Sequence, residues 1–173
     1  MIRGISFDKQ LFKSNDFALM TKRFFGNSDG IVEGCEVSSN AGNVLIEPGY
    51  FVASGYYTNL SSQEVIPVTT GKLVYEIDLS KTNTESSFLQ GSFKVITIAP
   101  IQEDLFNGGT LYQYPIADVV VTGGIITELV DLTSNIMEDL LSKLNAVPTF
   151  YSGTSAPTNS EGNNGDVYYQ YEL

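Results

Sequence analysis

The chain has 173 residues, enough for one domain with a small appendage and for a core that needs no covalent staples. Twenty acidic residues face nine basic ones, a net charge of -11, which disfavours binding to nucleic acid or to an anionic membrane surface. The absence of histidine removes the commonest general base and metal ligand, and the lone Cys35 can form no intrachain disulfide.

The first 30 residues read as an N-terminal arm or a short helix. "SNDFALMTKRFFG" suits a helix capped by Ser14 or Asn15 and closed by Gly26. Arg3, Lys9, Lys13, Lys22 and Arg23 gather more than half of the basic residues here. That asymmetry fits docking to an acidic partner, or an ordinary solvated surface. The N-terminus lacks the apolar core and cleavage site of a secretory signal, so synthesis in a cytoplasm without a signal peptide is expected. No stretch reaches the ~18 apolar residues of a membrane span, and no membrane insertion is expected.

Residues 31–125 carry a β pattern, expected to form an antiparallel sandwich or barrel. "IVEGCEV" reads as a strand with a buried thiol at Cys35. In "NVLIEPGYFVASGYYT", Pro48-Gly49 signals a turn, and Gly55 a bulge or a close backbone approach. "KLVYEIDLS" alternates most clearly. Leu73, Tyr75, Ile77 and Leu79 are expected on the core face, with Glu76 and Asp78 facing solvent. "SFKVITIAP" is apolar on both faces near Ile96 and Ile98, as in a central strand. "TLYQYPIADVVVT" follows, with Pro115 at a bulge or an edge.

After Gly123-Gly124 the period changes. Val130, Thr133, Met137, Leu140, Leu144 and Val147 recur at spacings of 3, 4, 3, 4 and 3. Residues 126–147 are therefore assigned to a helix, which Asn135 and Glu138, in a capping-box pattern, would start only near Asn135. A helix this short is marginal alone. Its apolar ridge must pack on its own sheet or on copies of itself about a symmetry axis. Val130, Met137, Leu140, Leu144 and Val147 are the expected oligomer contacts.

Residues 148–173 read as a Gly/Ser/Asn-rich linker and a terminal strand. Tyr168, Tyr169 and Tyr171 have too little partner sequence to build a sheet within this tail, so the strand should need another edge. With Tyr56 and Tyr57 of "SGYYTN", these tyrosines are the candidate glycan or partner surface, because amphipathic aromatics stack on sugar rings and are enriched at protein contacts.

Nothing in the chain points to a reaction. It holds no P-loop, dinucleotide fingerprint or serine elbow. "FGNSDGIVEGCE" fails as a calcium loop because Phe25 falls on the first ligand position. Carboxylates are plentiful, but no pair stands out as a hydrolase would require. No enzyme activity, catalytic residue, cofactor or metal is expected.

Four stretches carry a resemblance. "NVLIEPGYFVASGYY", "GKLVYEIDLS", "GSFKVITIAP" and "GGTLYQYPIADVVVTGGIITELVDL" occur in an order that resembles the attachment domains of baseplate and tail-fibre proteins of phages infecting Gram-positive bacteria, including the upper-baseplate type. The C-terminal "SGTSAPTNSEGNNGDVYYQYE" is similar to linker-strand phrases along phage fibres. The resemblance covers roughly residues 30–173.

It implies a homotrimeric, non-enzymatic structural protein of the virion. The β domain would dock on other tail or baseplate proteins, and the helix would gather three chains. The distal end would meet the next protein or the host receptor, with cell-surface polysaccharide as a candidate partner. The alternative is a receptor- or carbohydrate-binding module of a virion.

Overall fold

The structure is a computed structural model and describes residues 14–145, 150–155, 158 and 167–171. The chain divides into two compact units, Met1–Ile136 and Met137–Leu173. The fold is mainly β, with antiparallel sheets and two helices.

The first unit opens with helix α1, Ser14–Phe24. Asp16 in its first turn and Lys22 and Arg23 in its last complement the helix dipole. The helix ends on Gly26 and Asn27, with φ of 66° and 63°. Asn27 N donates to Lys22 O at 2.7 Å, which satisfies one of the orphan carbonyls of the last turn.

Three sheets follow. Strands β1 (Gly30–Gly34), β4 (Gly49–Ala53) and β5 (Tyr56–Leu60) form one, in the order β1-β4-β5. Strands β2 (Val37–Asn40), β3 (Asn43–Ile46) and β6 (Glu64–Pro67) form the second, in the order β2-β3-β6. The third contains β7 (Gly71–Asp78), β8 (Gly91–Ile96), β9 (Leu111–Thr122) and β10 (Ile125–Asp131), in the order β10-β9-β7-β8.

Inward residues of all three sheets meet in one core. Val44, Phe51, Leu73, Tyr75, Ala117 and Val119 are among its buried members. The Phe51 and Tyr75 rings pack edge to face, centroids 4.7 Å apart, the arrangement aromatic quadrupoles favour. This is the sandwich-like architecture expected from the strand pattern.

Several local readings hold. Cys35 is buried as expected, although the strand read through it breaks there: it lies in the link between β1 and β2 with φ of 59°, and burial, with Glu36 nearby, pushes its thiol up to about 11. Pro115 lies beside a bulge. Leu73 pairs with Ala117 and Val74 with Pro115, so Ile116 is left over, and the residue without an N–H sits where the ladder is already broken. Gly55 is a close backbone approach. It follows Ser54 in the tight turn between β4 and β5, with φ of 79°. A Cβ there would lie 2.3 Å from Ala18 O and 2.7 Å from Lys22 Cβ, so α1 rests directly on this turn.

Four readings need correction. Glu76 does not face solvent: it is 3% exposed. Strand β7 has a neighbour on each side, and Glu76 is enclosed by the long side chains those strands supply. Lys94 Nζ lies 2.5 Å from Glu76 Oε1, and Gln113 Nε2 donates to Oε2 at 2.9 Å. Burial alone would raise the carboxyl's pKa, but these two partners outweigh it and hold Glu76 below its ordinary range. Asp78 is only half-buried.

Second, β8 is an edge strand, and Ile98 is exposed beyond its end. Its apolar run does not reflect two covered faces.

Third, the helix expected over 126–147 begins ten residues later. Residues Ile125–Asp131 close a hairpin on β9, and helix α2 spans Ile136–Asn145, just after Asn135 of the capping pattern. The Gly123-Gly124 turn, with φ of 61° and 81°, selects the tight hairpin that returns the chain along β9.

Fourth, the terminal strand is not an orphan. In the second unit, β11 (Phe150–Gly153) and β12 (Val167–Gln170) pair in parallel within the tail itself.

Candidate functional site

Three surfaces collect the chemistry-bearing side chains. The first is helix α2. Met137, Leu140, Leu141 and Leu144 fall at i, i+3, i+4 and i+7, one helical face. Met137 is 50% exposed and Leu144 67%; Leu141 is exposed and Leu140 partly so. Asp139 and Lys143 form an i,i+4 ion pair at 2.6 Å, of the kind that adds a few tenths of a kcal/mol to a helix, about 0.3–0.5.

Val130 does not belong to this ridge. It is exposed on β10, opposite Asp118 of β9. Val147 lies outside the described residues. Of the five expected oligomer contacts, the helix brings together Met137, Leu140 and Leu144.

The second surface is on α1 and was not assigned from sequence. Phe17, Met20 and Phe24 are exposed at i, i+3 and i+7, while Ala18 and Thr21 are buried against the sandwich. Phe24 is 77% exposed. With Tyr57 these side chains line an open, largely apolar depression of about 640 Å³, and Arg23 stands at its rim. The signal in the sequence was the 3–4 spacing of "FALMTKRF", which also fits a helix with its large residues turned inward.

The third surface is aromatic. Tyr56 and Tyr57 are consecutive on β5, so strand geometry sends them to opposite faces. The Tyr56 hydroxyl donates to Asn15 Oδ1, and its ring stacks on Phe106 with centroids 6.3 Å apart. Burial pushes the Tyr56 hydroxyl above its ordinary pKa. Tyr57 is exposed and stacks on Tyr50 at 5.5 Å. In the second unit, the Tyr168 hydroxyl donates to Ser155 O at 2.9 Å, Tyr169 is 69% exposed and Tyr171 is also exposed. The five tyrosines thus divide between the units, two in the sandwich and three in the tail.

The perturbed carboxylates are structural. Asp29, between α1 and β1, accepts from Ser54 N at 2.7 Å and from the Tyr112 hydroxyl. Its own carbonyl accepts from Ser134 Oγ at 2.9 Å. Burial raises the Asp29 pKa against the lowering effect of those hydrogen bonds. Tyr112 is pushed upward as well, by burial first and by Asp29 second. Both oxygens of Glu76 are engaged as described. Asp78 Oδ1 holds Ser80 N and Oγ at 3.1 and 2.5 Å. Each of these carboxylates is used to fix a loop or bridge two strands.

Among the described residues, no group of three or more Cys, Asp or Glu side chains is placed to hold a metal ion. Among the same residues, no helix is long and apolar enough to cross a membrane. The exposed apolar and aromatic side chains of these surfaces are suited to contacts with a partner. Compared with protein-family models the chain matches none, and no curated protein matches its sequence.

Proposed function

We propose that this chain is a non-enzymatic structural component of a phage tail, baseplate or related tail-like particle. It assembles as a homo-oligomer, with a trimer as the expected state, and links the tail to a fibre or to the receptor. Residence in the virion follows from that role.

The tail assignment rests on the four quoted stretches and their order. The assembly part rests on one structural observation: Met137, Leu141 and Leu144 stand exposed on one face of α2. Soluble monomers rarely leave clustered large apolar side chains in water, and such clusters mark contact surfaces. A ten-residue helix also gains little stability by itself, so covering this face would contribute directly to holding it folded.

Sedimentation equilibrium of the full chain at micromolar concentration tests the proposal. A mass of three chains is expected, falling to one chain in Leu144→Asp. A strictly monomeric wild type would overturn the assembly reading.

A further inference from the structure

We propose that Asn107 is a site of self-modification: its side-chain amide cyclises onto the backbone nitrogen of Gly108 and then opens to a carboxylate, which releases Phe106 from its contacts with Tyr56 and Lys22. The reaction needs neither an oligomer nor a tail protein, so it stands apart from the function proposed above.

The chemistry is that of an asparagine followed by glycine. The Gly108 nitrogen gives up its proton and attacks Cγ of Asn107. A C–N bond forms there, the Cγ–Nδ2 bond breaks, and ammonia leaves carrying a proton back from solvent. Water then opens the five-membered ring at either carbonyl and leaves aspartate or isoaspartate. No electrons are gained or lost. A side chain on the attacking residue would crowd this closure, and glycine has none.

The structure singles out Asn107. It is exposed, and so is Gly108, with φ of 93° and nothing within 4 Å of where a Cβ would lie. Among the described residues, none accepts from Gly108 N. Asn27 and Asn83 also lie in loops, but each precedes a residue with a side chain and an engaged N–H. Ser28 N donates to Phe25 O at 3.1 Å, and Thr84 N to Ser87 O at 3.0 Å. Asn164 is the only other asparagine followed by glycine, and it lies outside the described residues.

Asp104 gates the reaction. Asn107 Nδ2 donates to Asp104 Oδ2, while Asp104 Oδ1 accepts from Phe106 N at 3.0 Å. Asn107 N also donates to Asp104 O at 3.1 Å. Cyclisation therefore waits until the side-chain bond opens. Once the amide has become a carboxylate, the donor is gone and a negative charge stands beside Asp104. The Asn107 amide, with the Phe106 N–H, holds Asp104 below its ordinary pKa, so Asp104 is ionised at neutral pH and the two carboxylates repel. The turn they strain carries Phe106. Its ring stacks on Tyr56 with centroids 6.3 Å apart, and Lys22 Nζ of α1 lies 5.1 Å from the ring centre.

The test stores the folded full chain in mildly alkaline buffer for several weeks, beside a sample unfolded in urea. Peptide mapping that separates aspartate from isoaspartate locates the product, and amide chemical shifts follow the fold. Residue 107 of the folded chain is expected to gain about 1 Da, as both isomers. Resonances of Lys22, Tyr56 and Phe106 should move with the same time course. Asp104→Ala should convert about threefold faster, the factor expected for losing one exposed hydrogen bond. Asn107→Gln keeps the amide but cannot close a five-membered ring, so it should neither convert nor show the slow shift. Four results would each overturn the proposal: no conversion at residue 107 of the folded chain while the unfolded sample converts, conversion that leaves those resonances in place, an Asp104→Ala rate no faster than wild type, or the same slow shift in Asn107→Gln.

Discussion

The two helices share a peculiarity and differ in their anchorage. On α1 the buried residues are small, Ala18 and Thr21, and the exposed ones are large, Phe17, Met20 and Phe24. On α2 the large residues Met137, Leu141 and Leu144 are likewise exposed. Helix α1, however, has a built seat: the Ser54-Gly55 turn beneath Ala18, with Asp29 gripping Ser54 N. Seating a helix thus needs only small side chains and a few close backbone contacts. The large apolar residues stay exposed, and an exposed face of that kind is what a partner surface is made from.

The seat should therefore be the most sensitive point. Gly55→Val places a branched side chain at positive φ and against Ala18 O, and is expected to cost about 3 kcal/mol in urea unfolding. Gly26→Ala, also at positive φ but with open space around it, should cost only about 1 kcal/mol. Equal losses would mean that α1 does not rest on the turn.

Breaking the buried Glu76 bridge tests the sandwich beneath the seat. Glu76→Ala leaves the Gln113 amide unpaired and should cost about 2 kcal/mol at neutral pH. The folded carboxyl has a pKa below its ordinary 4.5, so its contribution is present above 4.5 and is lost as pH falls through the folded value. The gap between wild type and Glu76→Ala should therefore narrow in acid.

Asp29 titrates in the opposite sense and sharpens the contrast at the seat. Its folded pKa is raised above the ordinary 3.8, so the folded state binds the proton more tightly than the unfolded chain does. Stability is lost as pH rises from about 3.8 through the folded value and is level beyond it. Asp29→Asn should gain thermal stability relative to wild type over that interval. A difference between the two melting curves that does not change with pH would refute this.

The smallest effects on folding are expected on the exposed faces. Within a single dissociated chain, Leu144→Asp and Phe24→Asp should each change unfolding free energy by about 0.5 kcal/mol or less. Their effect should appear in the mass measured by sedimentation. If only one of them lowers it, only that helix is an oligomer contact.

Much of the sandwich was legible because strand chemistry is local. The alternation at Leu73, Tyr75 and Ile77, the bulge at Pro115 and the close approach at Gly55 each follow from a residue's own covalent limits. The errors came where distant sequence decided the outcome. Glu76 is covered by side chains 18 and 37 positions away, Lys94 and Gln113, which alternation cannot see. The 3–4 spacing from Val130 onward fits a helix, yet a glycine turn upstream commits Val130 to a hairpin. The terminal tyrosines found a strand only four residues long, Phe150–Gly153, too short to register as a partner. The surface residues of α1 were hidden for another reason: periodicity identifies an apolar face without saying whether it points inward.

Cys35 adds a practical consequence. As the chain's only thiol, enclosed beside β1 and with its pKa pushed up to about 11, it holds almost no thiolate at neutral pH. Such a sulfur resists oxidation and will not cross-link neighbouring chains while the seam around it stays shut. It can serve as a stopwatch: a maleimide added to the native protein should label it no faster than that seam breathes open.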